Sequence, residues 1–176
     1  MKNRSEIDTR LKQVKLLAMD VDGVLTDGSI IYNEQGEEIK IFNVKDGLGI
    51  RLLTKAGLMA CIVTGRVSGA LLQRCRNLGI HRVYDGIADK AAILPVILKE
   101  MRLSPGEIAF IGDDLPDLPL MRQVGLSIGV SDAHELVRQS ADWITSAKGG
   151  AGAVREICEM ILKSKGLWSP ALYSSL

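Results

Sequence analysis

Met19-Asp20-Val21-Asp22-Gly23-Val24-Leu25-Thr26-Asp27-Gly28 sets two carboxylates at positions i and i+2, directly after the apolar run Leu16–Met19. If that run is a buried strand, both aspartates sit at its C-terminal edge, where open α/β sheets build their sites. Nothing cationic follows within a few residues, so a divalent metal is one natural neutraliser; an acidic Asp-Gly turn is the plainer alternative. Three further polar features follow apolar runs. Cys61-Ile62-Val63 leads into Thr64-Gly65-Arg66, and Asp85-Gly86-Ile87-Ala88-Asp89-Lys90 places a lysine at a helix start with Asp89 as N-cap. Ala109-Phe110-Ile111 leads into a second acidic cluster, Gly112-Asp113-Asp114-Leu115-Pro116-Asp117. Each has a plain reading: Thr64 as a cap, Lys90 as a solvated side chain, Asp113, Asp114 and Asp117 as caps of a helix beginning near Pro116. Yet Lys90 stands at the wrong end of a helix dipole, and four such features on one sheet edge exceed what capping explains.

Taken together they spell phosphoryl transfer. Asp20 is placed to attack phosphorus and form an aspartyl-phosphate. Mg²⁺ on Asp20 and Asp113 would offset the charge of two approaching anions. Thr64 and Lys90 would bind the phosphoryl oxygens, and Asp22 would protonate the leaving oxygen and then activate water.

The elements that must position these groups are legible from periodicity. Strand-like runs are Leu16–Met19, Leu58–Val63, His81–Tyr84, Ile108–Ile111 and Leu126–Ile128. Helical spacing joins Leu48, Leu52, Leu53 and Ala56, then Leu71, Leu72, Cys75 and Leu78, then Leu94, Ile97, Leu98 and Met101. The clearest stripe is Val154, Ile157, Cys158, Ile161 and Leu162. Gly57, Gly79 and Gly166 fall where helix C-caps are expected, and Pro95 predicts a kink or a broken first turn. The alternation predicts an α/β, doubly wound, mostly parallel Rossmann-like sheet in a single domain spanning residues 1–176.

One segment interrupts it. Ser29–Tyr32 and Glu38–Phe42 flank the turn Asn33-Glu34-Gln35-Gly36, predicting a projecting β-hairpin over residues 29–42. Its apolar residues Ile30, Ile31, Ile39, Ile41 and Phe42 need a cover, which another subunit can provide. The tail, about residues 166–176, lacks periodicity and is expected to be extended or disordered in isolation. With the Gly149-Gly150 hinge and a neighbouring subunit, it is a candidate lid.

The 176 residues are 47% hydrophobic, enough for a full core, and 22 basic against 21 acidic side chains leave a formal charge of +1. With 4% aromatics and no basic run, nucleic acid is not an expected partner. No signal peptide or membrane span is visible, so a cytoplasmic protein is expected. Cys61, Cys75 and Cys158 show neither ligand nor redox spacing and read as buried small side chains, while His81 and His134 carry no ligand spacing.

Asp20-x-Asp22-Gly23-Val24-x-Thr26, Thr64-Gly65, Lys90 and Gly112-Asp113-Asp114-x-x-Asp117 resemble, in order, the four motifs of the haloacid dehalogenase superfamily. The resemblance implies Asp20 as nucleophile, Asp22 as acid/base, and Mg²⁺ held by Asp20, Asp113 and the Asp22 carbonyl, with Asp114 and Asp117 in support. Phe42-Asn43-Val44-Lys45-Asp46-Gly47-x-Gly49-Ile50 and Gly149-Gly150-x-Gly152-Ala153-Val154-Arg155-Glu156 are further similar to the capless branch acting on octulosonate 8-phosphates in lipopolysaccharide synthesis. That branch implies a homotetramer formed through the hairpin, no cap domain, and substrate contacts from Thr64, Gly65, Arg66, Lys90, Asp46 and Gly47. From Lys90 to Gly112 the chain has room for one helix and one strand only, consistent with no cap. A related branch on nonulosonate 9-phosphates tends to carry Glu where this chain has Arg66, and Ala151 stands where a basic residue is common. A phosphomutase would need a cap. A receiver domain would carry its phosphorylated Asp apart from the acidic pair. An oligomerisation scaffold would leave the motifs without purpose.

Overall fold

Leu16–Met19, an unbroken apolar run, forms the central strand because both of its faces are covered; all four residues are buried. The computed structural model describes residues 3–174, so Met1, Lys2 and the last two residues of the expected tail lie outside it. In chain order, α1 (Arg4–Gln13) leads into β1 (Leu16–Met19), then into the hairpin strands β2 (Ile31–Tyr32) and β3 (Glu38–Ile39) and α2 (Val44–Lys55). Strands and helices then alternate: β4 (Met59–Val63), α3 (Gly69–Leu78), β5 (Arg82–Tyr84), α4 (Leu94–Met101), β6 (Ile108–Gly112) and the short α5 (Leu118–Met121). They continue with β7 (Leu126–Gly129), α6 (Glu135–Ser140), β8 (Trp143–Ile144), α7 (Ala153–Ser164) and a last helical turn, α8 (Pro170–Tyr173). The main sheet has the order β5-β4-β1-β6-β7-β8, every pair parallel. The expected doubly wound α/β sheet is present, with only the hairpin inserted between β1 and α2 and nothing but α4 and short turns between Lys90 and β6.

Register fixes the site. Met19 pairs with Ile62 on one side and Ile111 on the other, so β1, β4 and β6 end level. Asp20, Thr64 and Asp113 therefore emerge from three adjacent strands at one edge, where the chain turns from the β4 side to the β6 side.

On the helical layer, α2 packs along α7. Gly49 permits the close approach: a Cβ there would lie 3.0 Å from the Cα of Arg155. Asp46 ties the pair together, accepting from the backbone N–H groups of Gly152 (3.2 Å) and Arg155 (2.8 Å) at the start of α7. Pro95 lies in the first turn of α4, after a 3₁₀ turn over Lys90–Ile93, which is the broken turn its missing N–H predicts.

Three elements depart from expectation. α1 is absent from the periodic segments of the sequence, yet Ile7 and Leu11, one turn apart, bury into the core behind an Asn3 cap. β8 is two residues long, too short for a periodic signal. The described part of the tail is folded onto the chain: Arg155 (5.5 Å) and Lys163 (5.2 Å) of α7 both lie over the Trp168 ring, Tyr173 meets that ring at 5.7 Å, and Pro170–Tyr173 forms a helical turn. Among the described residues, no helix is long and apolar enough to cross a membrane.

Candidate active site

The loop after β1 turns at Gly23, whose φ of +90° suits glycine, and a Cβ there would overlap the Asp113 carboxylate. The buried Thr26 hydroxyl accepts from Gly28 N (3.2 Å) and stitches the turn. Gly149 and Gly150 lie flush against it: a Cβ on Gly149 would overlap the Gly23 carbonyl, and Gly150 N donates to Val24 O (2.9 Å). The expected hinge is thus a tight backbone contact supporting the β1 loop.

The cleft above this edge has a volume of about 340 Å³ and is lined by Asp20, Asp22, Thr64, Gly65, Arg66, Lys90, Asp113, Asp114 and Asp117, with Ile87, Ala88 and Pro116 as its apolar wall. Lys90, 5% exposed, is the hub: its Nζ lies 2.8 Å from Asp20 Oδ1 and 2.6 Å from Asp117 Oδ1. Burial alone would pull the ammonium pKa down, but the two carboxylates more than offset it and hold the pKa above the ordinary lysine value. Its placement at a helix start thus has a local electrostatic cause.

Asp117 is fully committed. Its Oδ2 accepts from Asp113 N (2.9 Å) and Asp114 N (3.2 Å), while Oδ1 holds Lys90. Asp114 caps the turn Leu115–Asp117 through Leu115 N (2.8 Å). The capping expected of Asp114 and Asp117 is real, and Asp117 also serves the site.

Asp20, Asp113 and Asp117 bring carboxylate oxygens within 4.8 Å of one another. Burial first, then the charge of Asp117, pushes the Asp20 pKa up to about 6 despite Lys90. Burial, Asp20 and Asp117 push Asp113 up to about 8. Among the described residues, Asp113 Oδ1 is buried without a hydrogen-bond partner. Along the cleft, five carboxylates face two cations. Hard oxygen donors, an orphaned carboxylate oxygen and surplus negative charge together fit a divalent cation on Asp20 and Asp113. Asp117, with both oxygens used, fits a supporting role.

Asp22 is not left bare. Lys40, from the hairpin, bonds its Oδ1, and Arg66 Nε lies 3.8 Å from its Oδ2. Arg66 is turned toward Glu38 (2.7 Å) at the cleft mouth. Neither Lys40 nor Glu38 was expected at the site. The alternation Glu38-Ile39-Lys40-Ile41, with polar residues on one strand face, is the signal that points to them.

Asp46 and Gly47 stand apart from the cleft, contrary to the substrate contacts expected of them. Asp46 is 1% exposed and occupied as the cap of α7, and Gly47 lines a separate hollow with Arg51 and Arg74. Another cavity, of about 320 Å³, lies between α1 and α7 beside Leu11, Trp143 and Lys163, and it gathers no catalytic set.

A parallel sheet of this order, carrying Asp20, Thr64, Lys90 and Asp113 on one edge, defines a phosphoryl-transfer hydrolase, and the chain belongs to the haloacid dehalogenase-like hydrolases. The profile of that family matches residues 80–157. The 3-deoxy-D-manno-octulosonate 8-phosphate phosphatase KdsC of Salmonella typhi is 42% identical over 162 residues, covering 92% of this chain and 86% of that protein. The crystal structure of the phosphatase of the same name from Yersinia pestis superposes with a TM-score of 0.91 at 44% identity, over 92% of this chain and 88% of that one. The Moraxella catarrhalis enzyme, solved with magnesium ion, phosphate ion and KDO, superposes with a TM-score of 0.94 at 42% identity, over 99% and 100%.

Proposed function

We propose that this chain is a magnesium-dependent phosphatase that hydrolyses 3-deoxy-D-manno-octulosonate 8-phosphate to the free sugar acid and phosphate. The observation that carries the reading is the buried cluster Asp20–Lys90–Asp117 with Asp113, set beside Thr64 and Asp22 in one cleft. Relatives 42% to 44% identical over most of their length, one of them solved with magnesium, phosphate and KDO, support the substrate and the metal.

The reaction divides into two steps. Asp20 attacks phosphorus, forming an Asp20–phosphoryl bond as the bond to the sugar oxygen breaks, and Asp22 gives that oxygen a proton. Asp22, now a carboxylate, takes a proton from water as the water attacks phosphorus and frees Asp20. Lys90, anchored by Asp117, and the buried Thr64 hydroxyl offer donors to the phosphoryl oxygens, where charge accumulates. Asp20 and Asp113, with the Asp22 carbonyl, would hold a magnesium ion, which would supply the positive charge an anionic phosphate ester needs to approach this acidic cleft. Arg66, at the cleft mouth, is placed to meet the sugar acid.

Phosphate release from octulosonate 8-phosphate, nonulosonate 9-phosphate and p-nitrophenyl phosphate, each with and without Mg²⁺, tests the reading. The octulosonate ester is expected to give the highest kcat/KM, and Arg66→Ala to lower it far more than that for p-nitrophenyl phosphate. A preference for the nonulosonate ester would reassign the substrate.

The assembly belongs to the same reading: a homotetramer formed through the hairpin. Ile30 (57% exposed), Ile41 (66%) and Val44 (78%) leave an apolar face that a two-residue ladder cannot bury by itself. Ile39→Glu with Ile41→Glu is expected to lower the mass seen by light scattering and to raise KM for the sugar phosphate. An unchanged mass would place the subunit interface elsewhere.

A further inference from the structure

The hairpin is two-faced. Ile31 pairs with Ile39 and Tyr32 with Glu38, so alternation sets Glu38 and Lys40 on one face and Ile39 and Ile41 on the other. Ile39 and Ile41 are exposed, whereas only 4% of the Lys40 side chain is. An ammonium so buried is held in place by matching charge. Lys40 Nζ bonds Asp22 Oδ1 and lies 3.4 Å from Glu38 Oε2. Glu38 in turn holds the Arg66 guanidinium at 2.7 Å. The other Asp22 oxygen, Oδ2, is buried with no hydrogen-bond partner among the described residues. Asp22 therefore has one oxygen hydrogen-bonded by Lys40 and the other free of hydrogen bonds, facing the Arg66 Nε at 3.8 Å.

We infer that Lys40 is a positioning residue of the phosphatase reaction: it fixes Asp22 through Oδ1 so that Oδ2 is the atom that handles the proton. The inference rests on the function proposed above, in which Asp22 is the acid and base. The clamp comes from outside the main sheet, so the hairpin orients a group of the nucleophile loop. The clamp is made by the hairpin face opposite the exposed Ile39 and Ile41, within a single chain.

p-Nitrophenyl phosphate separates the two steps, because its phenolate leaves without a proton while hydrolysis of the aspartyl-phosphate still needs a base. With Lys40→Met and Mg²⁺ present, a stopped-flow burst of one p-nitrophenolate per site is expected at near wild-type rate. Steady turnover after the burst should be slower by roughly 100-fold, the scale of a misplaced general base. Intact mass of acid-quenched protein should then show the phosphoryl adduct, and Lys40→Arg, which keeps the charge, should restore part of the second step. Equal slowing of burst and steady state, or wild-type behaviour of Lys40→Met, overturns the inference. If Lys40→Met does not fold, Lys40→Gln and Lys40→Arg give the same comparison. Asp20→Asn run alongside distinguishes the two failures: if it keeps turning over, the proposed reaction itself falls, whereas its inactivity beside an unaffected Lys40→Met removes Lys40 alone.

Discussion

Asp20→Asn is expected to lower Mg²⁺-dependent turnover by about 10⁴-fold or more, the scale on which a covalent nucleophile is lost, while the protein stays folded. The amide matches the carboxylate in shape but does not attack phosphorus. The fold survives because Lys90 keeps its second partner, Asp117, at 2.6 Å, so no buried cation is stranded. Removing one charge from the Asp20, Asp113 and Asp117 cluster also relieves repulsion among carboxylates whose oxygens lie within 4.8 Å. Asp22→Asn should be nearly as damaging to the sugar phosphate, whose alkoxide needs a proton. Phosphate release measures the loss, and circular dichroism with thermal melting checks the fold. An Asp20→Asn protein retaining a tenth of wild-type turnover would remove Asp20 from the nucleophile's role.

The polar groups at the ends of β1, β4 and β6 were legible in the sequence because the physics that places them is local. A buried parallel strand is an apolar run, its end is marked by the first polar residues, and parallel register brings three such ends level. Lys90 was legible for a second reason: a cation at a helix start opposes the dipole, and the structure supplies the two carboxylates that hold it there.

Other features rest on contacts between distant segments. Asp46 caps a helix 106 residues further along the chain at Gly152, and no local pattern announces that partner. It shares the Val44–Ile50 stretch with Gly47, so a structural cap and a substrate contact look alike in sequence. Lys40 was missed because its contact with Asp22 exists only once the hairpin folds back over the cleft. α1 escaped because two apolar residues, Ile7 and Leu11, carry its packing within an otherwise polar helix. The order of the tail is not legible in the sequence because Trp168 is held by cation–π contacts with Arg155 and Lys163, which leave no periodic trace.

Metal-free protein is expected to lose stability as pH rises from about 5 to about 8, and Mg²⁺ to restore it most strongly at the upper end. The sign follows from the carboxyls. Burial and neighbouring carboxylates lift Asp20 from 3.8 to about 6 and Asp113 from 3.8 to about 8. Between 3.8 and those values the folded chain keeps protons that the unfolded chain has released, so each step up in pH favours unfolding. A divalent cation replaces those protons. Its apparent affinity should therefore climb through the same window, by about tenfold per pH unit for each proton displaced. Thermal melts with chelator and with excess Mg²⁺ across this range measure the first effect. Calorimetric titrations of Mg²⁺ in buffers of different ionisation enthalpy count the protons. Asp113→Asn removes the most strongly shifted carboxyl. It should flatten the pH dependence of the metal-free melt, raise its melting temperature near pH 8 and abolish most of the Mg²⁺-induced shift. A metal-free melt that is level from pH 5 to 8, together with a Mg²⁺ affinity independent of pH, would show that these carboxyls are already ionised without the metal.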